Sequence, residues 1–252
     1  MLYQIILFDL DDTLIDFAAA EQIGIRKIHG QFYPTTPYPL FEQHFKKLNN
    51  ELWSRVGAQE NGLMPNEVRF LRFKQLNEAI ECTTSSHEVA DAYEHYLIDH
   101  IEWIPNVRKT IEFLHQKGHI LGIITNGFAA SQLRKKEKFS LENWFDCFVI
   151  SDDVGFAKPN KEIFDIALQN LSYTHNQPIH SYHKNSILMV GDSIISDGHG
   201  AKNFGINYCH VHHSPPQTTS LETTLAYHIN SVANLPNCIG YETEYTLFLN
   251  SL

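Results

Sequence analysis

Basic residues are the scarce class in this chain. Only 19 Lys and Arg stand against 29 Asp and Glu, a formal net charge of -10 with histidine neutral. Proteins that bind nucleic-acid polymers neutralise backbone phosphates with clustered Lys and Arg, so such a polymer is not the expected partner. A small phosphorylated ligand needs only one or two local cations and stays open. Cysteine is also sparse. Cys82, Cys147, Cys209 and Cys238 lie far apart and form no C-x-x-C pair, which argues against a disulfide framework or a structural zinc site. Reduced thiols in a cytoplasmic protein are the expectation. No apolar run approaches the ~20 residues of a membrane span, so no membrane partner is expected. The first residues run straight into an apolar strand without a basic region or cleavage pattern, so no secretory signal is expected.

What is present is a set of short, strand-length apolar runs. The first is Ile5-Ile6-Leu7-Phe8, long enough for a buried strand and too short for a helix. Four later runs read the same way: residues 120–125 (ILGIIT), 147–151 (CFVIS), 187–191 (ILMVG) and 207–211 (NYCHV). Between them lie segments of helical spacing. Residues 107–117 place Val107, Ile111 and Leu114 on one face, with Gly118 as a C′ residue. Residues 161–171 do the same with Ile163, Phe164, Ala167, Leu168 and Leu171. Strands alternating with helices predict βαβ units and a parallel sheet. Residues 16–103 break this rhythm. They carry no buried-strand run, and segments such as 41–53 and 67–80 suit helices, so the stretch reads as a helical insertion. Beside a sheet-end site it would serve as a lid, or it is a helical subdomain without a catalytic part. Residues 214–220 (SPPQTTS) read as a loop, and the last dozen residues as a terminal helix.

Polar residues follow the strands closely. Leu7-Phe8-Asp9-Leu10-Asp11-Asp12-Thr13 puts three carboxylates at the first strand's end, where they repel one another and call for a compensating cation. Asp9 and Asp11, two apart, would project to one side of an extended segment, with Asp12 a loop residue pointing elsewhere. Thr125-Asn126-Gly127 offers a hydroxyl and backbone N–H groups to phosphoryl oxygens. Lys158, held extended by Pro159, offers an ammonium beside a helix start. Gly191-Asp192-Ser193 and Asp197 add a second acidic pair. Each has an innocent alternative: turn and capping aspartates, a plain strand-to-loop turn, a surface lysine, a charge favoured by a helix dipole. Their convergence on strand ends, where open α/β sheets gather chemistry, is harder to dismiss.

These four motifs resemble those of the haloacid dehalogenase-like (HAD) superfamily of phosphatases. The resemblance implies an α/β fold, a Rossmann-like parallel sheet core with an inserted helical cap of the C1 type. Residues 1–15 and 104–252 would form the core and 16–103 the cap. It implies Asp9 as the nucleophile that becomes an aspartyl phosphate and Asp11 as the general acid and base. Thr125 and Lys158 would hold the transferring oxygens. Mg²⁺ would lie on the Asp9 carboxylate, the Asp11 carbonyl and Asp192, with Asp197 orienting Lys158 or a bound water. Residues 122–128 and 150–164 are similar, more closely, to bacterial house-cleaning pyrimidine 5′-nucleotidases, as more loosely are residues 49–53 (NNELW) and Arg72-Phe73. By that analogy Trp53 or Phe73 would stack on a base and Arg72 would meet its edge, with Asn126 and Gly127 also against substrate. Each of these cap residues has a structural alternative as a core aromatic or a surface arginine.

The expected activity is therefore Mg²⁺-dependent phosphomonoester hydrolysis, on a nucleoside 5′-monophosphate with a pyrimidine base. Another small-molecule phosphatase or a sugar-phosphate mutase is the alternative within this chemistry, and a receiver-like phospho-aspartate module the alternative outside it. Dehalogenation suits the motifs less well, since halide displacement needs neither Asp11 nor a metal. Two features depart from the family pattern. Gly198-His199-Gly200 replaces bulkier apolar residues after the last motif, where glycine weakens a helical turn and His199 reads as an exposed neutral side chain, with approach to the metal site as the alternative. His210, His212 and His213 invite a zinc reading, with a solvent-facing loop as the alternative.

Overall fold

The computed structural model describes residues 2–57, 63–176, 178, 183–212 and 224–251. All four residues of β1 (Ile5–Phe8) are buried. A strand hidden on both faces belongs inside a parallel sheet covered on each side. β2 (Ile120–Thr125), β3 (Cys147–Ile150), β4 (Ile187–Gly191), β5 (Asn207–Val211) and β6 (Leu225–Ile229) complete that sheet in the order β3-β2-β1-β4-β5-β6. Every neighbouring pair is parallel. Ile6 and Phe8 face one hydrophobic cluster while Ile5 and Leu7 face another, the two-residue alternation of a strand. Phe8 lies opposite both Ile123 of β2 and Val190 of β4. That register brings the carboxyl ends of three strands level, and with them Asp9, Thr125 and Asp192.

Helices α1 (Phe17–Phe32), α2 (Tyr38–Gly57), α3 (Pro65–Ala79) and α4 (Ser86–His100) lie between β1 and β2 and form the inserted cap. Local chemistry starts them. Asp16 accepts from the Ala19 N–H at 2.9 Å to cap α1. Glu67 accepts from the Met64 N–H at 2.9 Å at the start of α3, with Pro65 in its first turn. The rings of Phe45, Phe73 and Tyr93 pack together inside the cap, with centroids 5.5 to 5.8 Å apart. Phe73 is therefore wholly buried, which corrects its reading as a base-stacking ring. Where the chain leaves and re-enters the core, Asp16 N–H bonds Glu102 O at 2.9 Å and Ile104 N–H bonds Leu14 O at 3.1 Å. We take this paired neck as the cap–core junction.

After the cap come α5 (Val107–Gln116), α6 (Ala129–Phe139), the short α7 (Ser151–Val154), α8 (Lys161–His175), α9 (His199–Phe204), α10 (Leu235–Cys238) and α11 (Glu242–Asn250). Gly118 takes φ +81° just past α5, the left-handed geometry that closes a helix. Three local details differ from the sequence expectation. Ser151 opens α7 instead of ending β3. Asp197 sits within a π-helical turn, Ile194–Gly198, ahead of α9. β6 was not expected, because an edge strand reading LAYHI is only partly buried and shows no continuous apolar run. Among the described residues no helix is long and apolar enough to cross a membrane. The expected loop at 214–220 lies outside the described residues.

Gly200 shows packing overriding helix propensity. A Cβ there would stand 2.8 Å from Phe164 Cε2 and 2.9 Å from its Cζ, and that ring is fixed by stacking on Phe204. Gly200→Ala gains about 1 kcal/mol of intrinsic helix propensity but overpacks a core contact at a cost of roughly 1–3 kcal/mol. Urea unfolding is expected to show a net loss of stability, whereas propensity alone forecasts a gain.

Candidate active site

Asp9 extends β1 by one residue, its N–H donating to Val190 O at 2.9 Å. Its carboxylate receives the Lys158 ammonium at 2.5 Å. The same ammonium lies 2.7 Å from Asp197 Oδ1 and donates to Ile124 O at 2.7 Å. Lys158 is 1% exposed and Asp197 0%. Burial opposes the lysine's charge, but the Asp197 and Asp9 carboxylates outweigh it and hold the ammonium above the ordinary lysine range. Asn126 fixes the lysine's backbone. Its amide donates to Lys158 O at 2.9 Å and accepts from Lys158 N–H at 2.8 Å. The amide expected to meet substrate is thus spent on positioning Lys158, although Asn126 still lines the neighbouring cavities.

Asp192 follows β4 and faces Asp9 across Thr13. The Thr13 hydroxyl accepts from Asp192 N–H at 3.1 Å and reaches a carboxylate oxygen of each aspartate at 3.4 Å. With one proton it donates to one acid at a time. Asp197 lies beneath Gly191, where a Cβ would collide with its carboxylate, and accepts from Ser193 N–H at 3.0 Å. One ligand oxygen from each of Asp9, Asp192 and Asp197 lies within 4.8 Å of the others. Burial, then the Asp197 and Asp11 charges, push the Asp9 carboxyl up against the pull of Lys158. Burial, then Asp9, Asp197 and Asp12, do the same to Asp192. Two buried carboxylates and the half-buried Asp192 against one ammonium leave negative charge uncompensated. An all-oxygen donor set of this kind fits a hard divalent cation such as Mg²⁺.

Asp11 belongs to a different set of partners. β1 stops at Phe8 and residues 10–15 turn, with Leu14 N–H and Ile15 N–H both bonded to Leu10 O at 2.9 and 3.2 Å. Strand alternation therefore does not carry as far as Asp11. Its carboxylate takes Lys135 Nζ at 2.7 and 2.8 Å and Gln132 Nε2 at 3.0 Å. Asp12, at φ +60°, accepts from Ala18 N–H at 2.7 Å and helps start α1. Thr125 presents a buried hydroxyl without a protein partner among the described residues. The Gly127 N–H, expected to be free for phosphate, instead donates to Ser151 Oγ at 3.1 Å. Gly127 has a steric reason to be glycine, since a Cβ would strike the Gln132 amide.

A cavity of about 200 Å³ lies between cap and core, with Asp11, Gln132 and Lys135 on the core side and Trp53, Arg72 and Glu94 on the cap side. Trp53 and Asn126 also border a second cavity of about 610 Å³ that reaches Lys158. Sequence reasoning missed Thr13, Gln132, Lys135 and Glu94. Thr13 lies within the motif that was read. Lys135 was hidden among the basic residues of α6, where only its i, i+3 spacing from Gln132 hinted at a shared face. Among the described residues the histidines build no metal site. His210 Nε2 is 3.1 Å from Asp192 O and its Nδ1 3.3 Å from His228 Nδ1, while its ring stacks on His212. His213 lies outside the described residues. Among the described residues the aspartate trio is the group that brings metal-ligating atoms together. His199 is half-buried at the start of α9, not exposed.

Comparison with known proteins agrees with this geometry. The family described as haloacid dehalogenase-like hydrolase matches residues 6–211. The pyrimidine 5′-nucleotidase YjjG of Escherichia coli is 30% identical over 82% of this chain and 86% of its own. A glyceraldehyde 3-phosphate phosphatase of Pyrococcus abyssi is 30% identical over 81% of this chain and 79% of its own. The crystal structure of the Bacillus subtilis HAD-hydrolase YfnB, bound to magnesium, superposes with a TM-score of 0.77 at 25% identity, covering 95% of this chain and all of that one. With the acid cluster, the parallel sheet and the inserted cap all in place, the chain belongs to the haloacid dehalogenase-like hydrolase family.

Proposed function

We propose that this chain, a Mg²⁺-dependent phosphatase of its family, acts on nucleoside 5′-monophosphates with a pyrimidine base. The observation that carries the substrate reading is the cavity beside Asp11. It joins apolar and aromatic walls, among them Phe17, Trp53 and Phe128, to the buried charges of Arg72 and Glu94. A flat heterocycle satisfies both kinds of wall, while a bare sugar phosphate leaves the apolar one unfilled. The similarity to YjjG, and to a pyrimidine 5′-nucleotidase of Streptococcus pneumoniae at 24% identity, supports the same reading. Sugar phosphates are the second reading, favoured by the similarity to glyceraldehyde 3-phosphate phosphatases.

In the mechanism that fits these residues, an Asp9 oxygen attacks phosphorus and the bond to the leaving oxygen breaks. Asp11 gives that oxygen a proton, then takes one from the water that attacks the aspartyl phosphate and frees Asp9. In the conformation described, Asp11 is bonded to Lys135 and Gln132, so it moves a proton only after turning from them. Lys158 and the Thr125 hydroxyl hold the phosphoryl oxygens, and Asn126 and Asp197 hold Lys158. Asp9 and Asp192 are the side chains that would hold Mg²⁺, whose charge offsets theirs and that of the substrate. Asp197 is already committed to Lys158 and the Ser193 N–H.

Phosphate release measured across nucleoside monophosphates and sugar phosphates with Mg²⁺ is expected to favour UMP and related pyrimidine nucleotides. No preference for any nucleotide would sink the substrate reading and leave the phosphatase standing. Isomerised sugar phosphate in place of inorganic phosphate would indicate a mutase. Asp9→Asn is expected to lower turnover by at least about 10³-fold, and the urea midpoint is recorded with it because the amide relieves repulsion in the acid cluster but also takes one carboxylate from the buried Lys158 ion pair. Normal turnover in a folded Asp9→Asn protein would remove the nucleophile assignment.

Metal dependence carries a sign that can be checked. Burial and mutual repulsion raise the Asp9 and Asp192 carboxyls, so the folded state binds more protons than the unfolded one above the ordinary carboxylate pKa. Their contribution to stability is present at low pH and is lost as pH rises through their raised pKa values. Mg²⁺ binding offsets the same charge. Its stabilising shift in Tm is therefore expected to be larger at about pH 8 than at about pH 5.5. Equal shifts at both would place the metal elsewhere.

A further inference from the structure

Two charged cap residues in the wall of the 200 Å³ cavity are left incompletely paired. Arg72 is 6% exposed and Glu94 7%. Arg72 Nη2 lies 3.7 Å from Glu94 Oε1, an ion pair too long for a hydrogen bond. The arginine's other terminal nitrogen donates to Asn49 Oδ1 at 3.2 Å, and its guanidinium lies 4.4 Å from the centre of the Tyr93 ring. Arg72 Nε and Glu94 Oε2 are buried with no hydrogen-bond partner among the described residues. Buried polar groups are almost always satisfied, and an exception needs a reason. A pair kept for stability alone would close to hydrogen-bond contact. Here Asn49 and Tyr93 hold the arginine, and the 3.7 Å gap leaves the facing ends of Arg72 and Glu94 without a hydrogen bond to each other in the cavity wall.

The chemistry of the pair specifies its ligand. A carboxylate only accepts hydrogen bonds and a guanidinium only donates them. The complementary edge must therefore carry an N–H donor directly beside a carbonyl acceptor. The cavity is smaller than the roughly 300–1,000 Å³ of ordinary small-molecule sites, which fits a single ring better than a fused pair. Uracil and thymine meet both demands. Their ring N–H is flanked by a carbonyl on each side, so the edge matches the pair in either ring orientation. Cytosine offers its amino donor beside a ring-nitrogen acceptor and matches in one orientation only.

Resting on the nucleotidase reading above, we infer that Glu94 and Arg72 form a base-reading site for the imide edge of uracil or thymine, Glu94 accepting the ring N–H and Arg72 donating to the adjacent carbonyl. They are specificity residues and take no part in phosphoryl transfer.

The test measures kcat/KM for UMP, N3-methyl-UMP and ribose 5-phosphate with Mg²⁺ on the wild-type enzyme and on Glu94→Gln and Arg72→Lys, with Tm recorded for each. In the wild type, UMP is expected to exceed both N3-methyl-UMP and ribose 5-phosphate by about tenfold or more, the scale on which sites built to hydrogen-bond a group reject analogues without it. The ratio of UMP to ribose 5-phosphate is expected to fall by about tenfold in each variant. A wild-type enzyme without preference for UMP over ribose 5-phosphate would overturn this proposal, and if the same holds for every nucleoside monophosphate the nucleotidase reading falls with it. A wild-type preference for UMP that survives N3-methylation, or that persists undiminished in both folded variants, would overturn the proposal alone. The methylated substrate decides the matter even if a variant does not fold.

Discussion

The buried ion pair of Lys158 with Asp9 and Asp197 is the constraint on which this structure turns. Burying charges is costly, and such a group survives only where opposite charges and hydrogen bonds surround it closely. Lys158 meets that condition with two carboxylates and the Ile124 carbonyl. Each partner comes from a different part of the fold: Asp9 from the end of β1, Ile124 from β2 and Asp197 from the turn after β4. The parallel register across these three strands makes that convergence possible, and Asn126 completes it by holding the lysine's backbone from the end of β2. Glycines permit the approach. Gly191 leaves room for the Asp197 carboxylate and Gly127 for Gln132.

The cluster is nevertheless underpaid in positive charge. One ammonium serves Asp9 and Asp197, and Asp192 faces Asp9 with Thr13 between them. The upward shifts at Asp9 and Asp192 express this deficit, because burial and mutual repulsion both penalise ionisation. A divalent cation held by Asp9 and Asp192 would remove it and favour the ionised Asp9 that the proposed mechanism needs. Lys158, held charged by its carboxylate partners, would in the proposed mechanism counter the incoming phosphoryl group. The electrostatic demand that makes the metal-free site unfavourable is thus the one that prepares it to receive metal and phosphate together.

Much of this was legible in the sequence, because strand ends in a parallel sheet leave a clear trace. Five apolar runs and the polar residues that follow them located Asp9, Thr125, Lys158, Asp192 and Asp197 together. What escaped has physical reasons. β6 is a partly exposed edge strand, so it lacks the apolar run that marks the others. Asp11 follows the turn after Phe8, where the two-residue alternation no longer applies. The Gly127 N–H goes to Ser151, a partner 24 residues away that no local pattern reveals. Phe73 and Trp53 look alike as cap aromatics, yet only tertiary packing buries the first in the cap core and leaves the second beside the cavities. Glu94 carries no motif at all and matters only through its distance from Arg72.

Asp11 joins the two halves of the molecule. The acid that moves the proton in the proposed mechanism is also part of the wall of the cavity that would receive the leaving group. Its partners Lys135 and Gln132 come from α6 of the core, while Trp53, Arg72 and Glu94 face them from the cap. The phosphoryl chemistry rests on strand ends, where a rigid sheet fixes positions. Selection of the leaving group rests on helices that the core holds through the paired neck at residues 14–16 and 102–104. Changes in cap side chains can therefore alter what is hydrolysed while leaving the buried lysine and its aspartates untouched. On this division, relatives named for nucleotides and for sugar phosphates can both resemble this chain over most of its length.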